Sequence, residues 1–139
     1  MTITDERAIE LGRAVAAWDA RWWSAGMRTM PDRDGRVWRL SWKDDERTAY
    51  NLTQESGRRL RHSAPCVGGM IPDLRDRPTQ AAVLERIEKA TGEPCYISPT
   101  PYFVTDNGRK CWRVHSGGAF PHAPTRAEAI AAAVEELKQ

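Results

Sequence analysis

Tryptophan and arginine are the two residue types that this chain carries in excess, and both are suited to binding anions and aromatic rings. Six tryptophans occur among 139 residues, and 17 of the 21 cationic residues are arginines. The planar guanidinium group binds phosphate or carboxylate through paired hydrogen bonds and stacks on aromatic faces. An aromatic side chain holds a nucleobase by stacking, at roughly 1–3 kcal/mol per base. The excess therefore predicts a recognition surface, with biased codon usage in a GC-rich genome as the other explanation of the arginines.

The predicted surface draws on the parts of the chain in which these residues concentrate. Residues 28–61 carry nine cations against six acids. Trp23 lies about 100° around its helix from Trp22 and should point away from the apolar stripe. We predict that the ligand-binding residues are two tryptophans and seven arginines: Trp23, Arg28, Arg39, Arg58, Arg59, Arg61, Arg77, Trp112 and Arg113. The alternative is a solvated basic face over buried tryptophans.

Other chemistries have weaker support in the sequence. His62 with Cys66, and Cys111 with His115, have spacings that could chelate a metal, but structural zinc sites usually contain two closer pairs such as Cys-x2-Cys. Cys66 near His62 could form a nucleophilic pair, yet no sequence typical of such enzymes surrounds it. The paired carboxylates lie in turns, where aspartate bonds to its own backbone. We predict no metal, no cofactor and no enzymatic activity.

Composition bounds the class of protein. The net charge of +2 is too small to indicate non-specific nucleic-acid binding. No apolar stretch approaches the ~18–20 residues of a membrane span, and the first residues lack the pattern of a signal peptide. Three cysteines without a secretion signal favour reduced thiols. These features predict a cytoplasmic globular protein that does not associate with membranes.

Hydrophobic periodicity predicts an α+β fold in a single domain, residues 1–139. The predicted sheet is antiparallel and made of two hairpins, with an N-terminal helix and two further helices packed on it as a sandwich. Three helices are predicted: one at about 5–24, one from 78 or 79 to 91 that Asp76 caps, and a last one that opens with the capping box 125–128. The first predicted hairpin consists of strands 37–42 and 48–53. Short strands are predicted at 95–97 and 102–104, and the Asn107-Gly108 turn leads from the second of these to a partner strand at 110–114. Residues 54–77 show no period and predict an irregular connector.

Three stretches resemble the phage α-β-α sandwich domain family, a group of small phage and prophage proteins. The stretches are residues 11–18 with the Trp23-to-Met27 turn, residues 71–79, and residues 112–114 with 125–130. Arg75 departs from the family pattern by replacing a small hydroxyl residue, and residues 43–70 match none of it. The family has no catalytic residues to carry over. The resemblance implies a phage-encoded accessory protein that acts in the host cytoplasm and blunts a host defence.

Three functions follow as hypotheses. The first is sequestration of a small anionic ligand, such as a nucleotide signal of host defence, at a site that could lie across a homo-oligomer interface. The second is inhibition of a host defence enzyme by protein binding, through the 54–77 connector and Trp23, since interfaces favour tryptophan and arginine as anchors. The third is weak nucleic-acid binding through the basic run at 58–62.

Overall fold

The computed structural model describes residues 2–18, 24–43, 46–52, 61–63, 67–100 and 111–138, and it confirms the predicted α+β class. The elements are α1 (Asp5–Trp18), β1 (Trp38–Lys43), β2 (Glu46–Asn51), β3 (Arg61–Ser63), α2 (Arg77–Thr91), β4 (Tyr96–Pro99), β5 (Trp112–His115) and α3 (Arg126–Leu137). They divide into two compact units, an N-terminal unit of Ile3–Ala82 and a C-terminal unit of Val83–Gln139 with Met1–Thr2. The assignment of all 139 residues to one domain stays a prediction.

The sheet of the N-terminal unit is antiparallel. β1 pairs with β2 from Trp38 opposite Asn51 to Lys43 opposite Glu46, and β2 pairs in turn with β3. Two isolated bridges extend the sheet beyond β1, since Arg28 lies opposite Arg39 and Thr29 opposite Pro72. The first predicted hairpin is therefore present, and it forms the centre of a wider sheet.

Side chains alternate between the two faces of this sheet. One face is buried and carries Thr29, Trp38, Leu40, Ala49 and Asn51. Trp38 is only 1% exposed, which places it in the core as the sequence predicts. Its indole N–H donates to the carboxylate of Asp32 at 3.1 Å. The opposite face is partly solvated, because residues of the other parity (Arg28, Arg39, Ser41, Thr48 and Tyr50) keep part of their surface exposed.

Helix α1 begins where a cap and the helix dipole favour it. The hydroxyl of Thr4 accepts a hydrogen bond from the Arg7 amide at 3.2 Å, and two acidic residues occupy the first turn. Gly12 lies so close to Ile71 and to the Pro72 carbonyl that a Cβ there would overlap both. The helix therefore packs backbone to backbone against residues 71–72. Of the predicted extension to residue 24, residues 19–23 lie outside the described part and Ser24 is not helical.

Part of the predicted irregular connector is ordered by pairing. β3 lies inside it, and a three-residue strand is too short to show an alternating pattern. Further along, the amide of Met30 donates to the carbonyl of Ile71 at 2.7 Å, and the amide of Asp73 donates to the carbonyl of Arg28 at 2.9 Å. These bonds attach the end of the connector to the sheet. Residues 53–60 and 64–66 of this region lie outside the described part.

The C-terminal unit contains its own antiparallel pair, β4 with β5. Helix α3 follows and opens with the predicted capping box, since the Thr125 hydroxyl accepts from the Glu128 amide at 3.2 Å and donates to the Glu128 carboxylate at 3.1 Å. Its buried stripe, which includes Ile130 and Val134, packs against β5. The partner of β5 is thus β4, and the strand predicted at 102–104 lies outside the described residues, as does the Asn107-Gly108 turn.

Candidate ligand-binding faces

The first candidate face lies on the β4–β5 pair. The register sets Tyr96 opposite His115 and Ser98 opposite Arg113. Because residues directly opposite each other in an antiparallel pair share a face, these four side chains project to the same side of the pair. We call them the Tyr96 face. Trp112 belongs to the other side.

Helix α3 covers that other side. The guanidinium carbon of Arg126 lies 5.0 Å from the centre of the Trp112 ring, a cation–π contact, and Val114 is fully buried on the same side. Trp112 is therefore turned toward α3 and Arg113 away from it. The structure separates these two predicted site residues although they are adjacent in the sequence.

An aromatic stack stands at one end of the Tyr96 face. The rings of Tyr96 and His115 are stacked with centroids 4.7 Å apart and an angle of 11° between their planes. Tyr96 is 56% exposed, so the stack leaves much of its ring in solvent. The Ser98 hydroxyl lies 3.1 Å from His115 Nε2 and fixes the orientation of the imidazole. An exposed, oriented phenol ring of this kind offers a surface on which a flat ligand can stack.

Arg113 supplies the cationic part of the Tyr96 face. One terminal guanidinium nitrogen lies 3.3 Å from Nδ1 of His122, a neighbour that is itself exposed. The Nε of Arg113 is buried and has no hydrogen-bond partner. No carboxylate in the described part of the chain pairs with Arg113, and a buried donor without an acceptor is costly. An anion would bind through the terminal guanidinium nitrogens of Arg113, because Nε is sealed from solvent.

The second candidate face lies on the solvated side of the N-terminal sheet. Arg28 is opposite Arg39, Arg39 is opposite Tyr50, and Tyr50 is opposite Arg61. Neighbouring chains in a sheet are about 4.8 Å apart, so this arginine row crosses roughly 14–15 Å of sheet. Three residues predicted to bind the ligand, Arg28, Arg39 and Arg61, are thus brought into one row by the backbone register. Tyr50, which was not predicted, lies between Arg39 and Arg61 in the same row.

Within the arginine row, Arg39 is already engaged. It donates to both carboxylate oxygens of Asp76, at 2.9 and 3.1 Å, and to the carbonyl of Gly26 at 2.7 Å. Asp76 also caps α2, as the sequence predicts, by accepting from the amide and hydroxyl of Thr79 at 3.2 and 2.8 Å. Burial raises the pKa of Asp76, but the hydrogen bonds from Arg39 and Thr79 outweigh it and hold the pKa below its ordinary value.

Arg28 differs from Arg39, since no carboxylate in the described ranges contacts it and its buried Nε has no hydrogen-bond partner. The next row on this face is made of hydroxyl residues, with Thr48 opposite both Ser41 and Ser63. The Thr48 hydroxyl is also buried without a partner. The face therefore contains two buried polar atoms, Arg28 Nε and the Thr48 hydroxyl oxygen, that have no hydrogen-bond partner in the described part of the chain.

The remaining predicted site residues are distributed as follows. Arg77 is exposed at the first position of α2. Trp23, Arg58 and Arg59 lie outside the described residues, and of Arg61 only the backbone is described. The predicted site residues did not include Tyr96, Ser98, His115 and His122. The polar–apolar–polar alternation of Tyr96, Ile97 and Ser98 could have predicted that Tyr96 and Ser98 share an exposed face of the strand. It does not reveal which residues of the neighbouring strand lie opposite them.

The described residues give no support to metal or thiol chemistry. They contain no group of three or more histidine, cysteine, aspartate or glutamate side chains placed to hold a metal ion. Cys95 and Cys111 are free thiols. Burial raises the pKa of Cys95, and Glu88 adds to this effect although a hydrogen bond with Ser116 opposes it. The thiolate of Cys95 is therefore disfavoured.

The remaining findings concern the membrane and known proteins. Within the described ranges, no helix has both the length and the apolar character that a membrane span requires. Comparison of the chain with models of known protein families, with characterised proteins and with solved structures found no match. The two faces are thus interpreted from their own geometry.

Proposed function

We propose that the protein binds a small anionic ligand that carries an aromatic ring, such as a nucleotide, on the Tyr96 face. One observation carries this proposal: an exposed tyrosine ring, stacked on His115, lies two residues along the strands from a guanidinium group without a carboxylate partner in the described part. Stacking on tyrosine and hydrogen bonding to arginine are the two contacts by which proteins hold bases and phosphates.

The spacing of the two groups supports a ligand of nucleotide size. Tyr96 and Ser98 are two residues apart along β4, which corresponds to about 7 Å at 3.3–3.4 Å per residue. Arg113 stands opposite Ser98, so the cation and the aromatic stack have about the same separation. A base stacked on Tyr96 would place its own 5′-phosphate near Arg113 and His122.

The expected affinity follows from these contacts. A stacked base contributes roughly 1–3 kcal/mol and a hydrogen bond to a charged group roughly 1.5–3 kcal/mol, about 3–6 kcal/mol together. A dissociation constant of 1 mM corresponds to about 4 kcal/mol. Ligands must therefore be tested at millimolar concentrations, where a ligand at ten times its Kd would stabilise the protein by about 1.4 kcal/mol.

Thermal unfolding with a panel of linear and cyclic nucleotides tests the proposal. We expect Tm to rise by about 4 °C with at least one nucleotide at ten times its Kd, and less with the matching nucleoside or with inorganic phosphate alone. Tyr96→Ala and Arg113→Gln should each abolish most of the shift. Arg33→Gln, which removes an exposed charge from the turn after Asp32, is the matched control. The proposal fails if no nucleotide raises Tm, or if both site variants respond as the control does.

The cellular role proposed with this binding is sequestration of a nucleotide signal of host defence by a phage accessory protein. It is supported by the sequence resemblance to phage proteins. Protein isolated from cells that produce such a signal should release it on denaturation, in amounts that Tyr96→Ala reduces. Inhibition of a host defence enzyme by direct protein binding stays the alternative, and specific recovery of such an enzyme with both wild-type protein and Tyr96→Ala would favour it.

A further inference from the structure

The first candidate face continues past β5 onto the segment that follows this strand. Trp112 lies opposite Ala123 in an isolated antiparallel bridge, and two backbone hydrogen bonds of 2.8 and 2.9 Å join these residues. The same register places Arg113 opposite His122, so their side chains share one side of the strands, in agreement with the 3.3 Å contact between them. Ser98 stands opposite Arg113 on β4. The three side chains Ser98, Arg113 and His122 therefore lie next to one another, and we call them the Arg113 row.

The Arg113 row combines three groups that bind oxyanions. Hydroxyl groups and guanidinium groups are frequent partners of phosphate oxygens, and a protonated imidazole donates from both of its nitrogens. Neighbouring strands are about 4.8 Å apart, so an anion centred on Arg113 reaches Ser98 on one side and His122 on the other. The row is thus the anion-binding part of the face, and Tyr96 is its stacking part.

The contact between Arg113 and His122 defines the protonation state of the imidazole. A guanidinium group donates hydrogen bonds and cannot accept them. The Nδ1 atom that lies 3.3 Å from the guanidinium nitrogen must therefore present a lone pair. A protonated imidazole would instead direct an N–H group at the guanidinium and place two positive charges side by side. The contact consequently requires a neutral His122 with its hydrogen on Nε2.

An anion on the Arg113 row reverses this preference. It accepts hydrogen bonds from the terminal nitrogens of Arg113, including the one that otherwise donates to His122, and it brings a negative charge next to the imidazole. An opposite charge nearby favours the charged form of a titratable group, and a protonated Nδ1 gives the anion a further donor.

We propose that binding of a phosphate or sulfate group on the Arg113 row is coupled to the uptake of one proton by His122, so that the site binds its ligand more tightly as pH falls. This inference rests on the anion-binding part of the proposed function. Histidine is the side chain that ordinarily changes charge between about pH 5 and pH 8. The proposed site would therefore respond to pH within the physiological range.

Other charged and titratable groups surround the row in the described part of the chain. Tyr96 and His115 stand on the same side of the strands, and Nε2 of His115 is 3.1 Å from the Ser98 hydroxyl. Arg126 lies on the opposite side, and the side chain of Glu93 reaches the turn after β5. Of the residue types on the row's own side, histidine alone ordinarily titrates between about pH 5 and pH 8. A test must therefore separate His122 from His115.

The size of the effect follows from the exposure of His122. Because this side chain is exposed, its attraction to an anion is that of two charges in water. Two unit charges about 4 Å apart in water attract each other enough to change a binding constant about sixfold. We therefore expect an anion of constant charge to bind about three to six times more tightly at about pH 5.5 than at about pH 8.

An NMR titration with adenosine 3′,5′-cyclic monophosphate measures the coupling. This phosphodiester keeps a single charge over the range, whereas a phosphomonoester changes its own charge near pH 6. We expect the three- to sixfold lower Kd at the lower pH, and an increased protonated fraction in the ring-nitrogen signals of His122 when the nucleotide is added at about pH 6.5. His122→Gln keeps an acceptor for Arg113 but cannot titrate, so its Kd should be equal at both pH values. His62→Gln, which removes another histidine, is the matched control and should keep the dependence.

Sodium sulfate tests the Arg113 row without stacking. The sulfate dianion also keeps its charge over this pH range, and the titration is performed at constant ionic strength because salt screens contacts between exposed charges. Sulfate should bind more tightly at the lower pH in wild-type protein and in Tyr96→Ala alike. The pH dependence should disappear in His122→Gln.

The inference is overturned if neither anion changes the ring-nitrogen signals of His122, or if the affinities at the two pH values are equal. It is also overturned if His122→Gln retains the pH dependence, which would then belong to His115 or to another group, or if His62→Gln loses it. Nucleotide-induced Tm shifts that depend on Tyr96 and Arg113 but not on pH would sustain the proposed function and reject only this inference. Sulfate binding that depends on pH through His122, without binding of any nucleotide, would do the reverse.

Discussion

Replacing Asp76 with alanine removes the cap of α2 and the partner of Arg39 in one step. Loss of an N-cap costs about 0.5–2 kcal/mol. The side chains of Arg39 and Asp76 are 31% and 12% exposed. The free-energy cost of breaking their ion pair should therefore lie between the about 0–1 kcal/mol of a surface pair and the about 3–5 kcal/mol of a fully buried one. We take about 1–2 kcal/mol for the pair, and therefore expect Asp76→Ala to destabilise the N-terminal unit by about 1.5–4 kcal/mol.

The same carboxylate predicts a pH dependence with a definite sign. The pKa of Asp76 is lower in the folded protein than its ordinary value of 3.8. A carboxylate with a lowered folded pKa contributes stability that is fully present above the unfolded value and is lost as pH falls through the folded value. Wild-type protein should thus lose stability below about pH 4. Asp76→Asn should show a weaker loss there, with Asp32 supplying part of the remainder because its pKa is also lowered.

Urea unfolding at pH 7 and at pH 3 measures both effects, with tryptophan fluorescence as one readout because Trp38 is buried in the same unit. A double-mutant cycle with Arg39→Met isolates the pair, and we expect a coupling energy of about 1–2 kcal/mol at pH 7. The reasoning is refuted if Asp76→Ala costs less than about 0.5 kcal/mol, or if the two substitutions are additive at pH 7.

Two further substitutions test the packing and the capping. Gly12→Ala should destabilise the folded protein by about 1–3 kcal/mol because the new Cβ would overlap the Pro72 carbonyl. This cost should exceed the gain of up to about 1 kcal/mol that alanine provides within a helix. The control is Gly118→Ala, which has open space around it and should change stability little. A melting temperature that rises in Gly12→Ala would contradict the close contact. Thr125→Ala should cost about 1 kcal/mol by removing the acceptor of the Glu128 amide, and Thr125→Ser should restore most of it, both measured by urea unfolding. Equal stability of the alanine and serine variants would argue against the cap.

Local signals in the sequence sufficed for the helices. The capping box at Thr125, the cap at Asp76 and the apolar stripes depend on residues within a few positions of each other, so a pattern over one segment predicts them. The core position of Trp38 followed in the same way from alternation along one strand.

The candidate faces could be predicted only in part, because they depend on which segments pair. Nothing near Tyr96 indicates that His115, nineteen positions later, stands opposite it. The excess of arginine led to the prediction of Arg28 and Arg39 as site residues, but their common row results from an isolated bridge between β1 and a segment without a recognisable period. That Arg39 is held by Asp76, 37 positions away, was equally invisible in the sequence.

The close approach of α1 to residues 71–72 has a consequence for how this sequence can diverge. A side chain larger than hydrogen at position 12 cannot be accommodated unless the helix or the Pro72 backbone moves. Surface positions of α1, such as Arg13 and Ala17, are free to change. Any relative that keeps this packing should therefore keep glycine at the position corresponding to Gly12. That glycine, six residues before the end of α1, would identify distant relatives in which most other residues of the helix have been substituted.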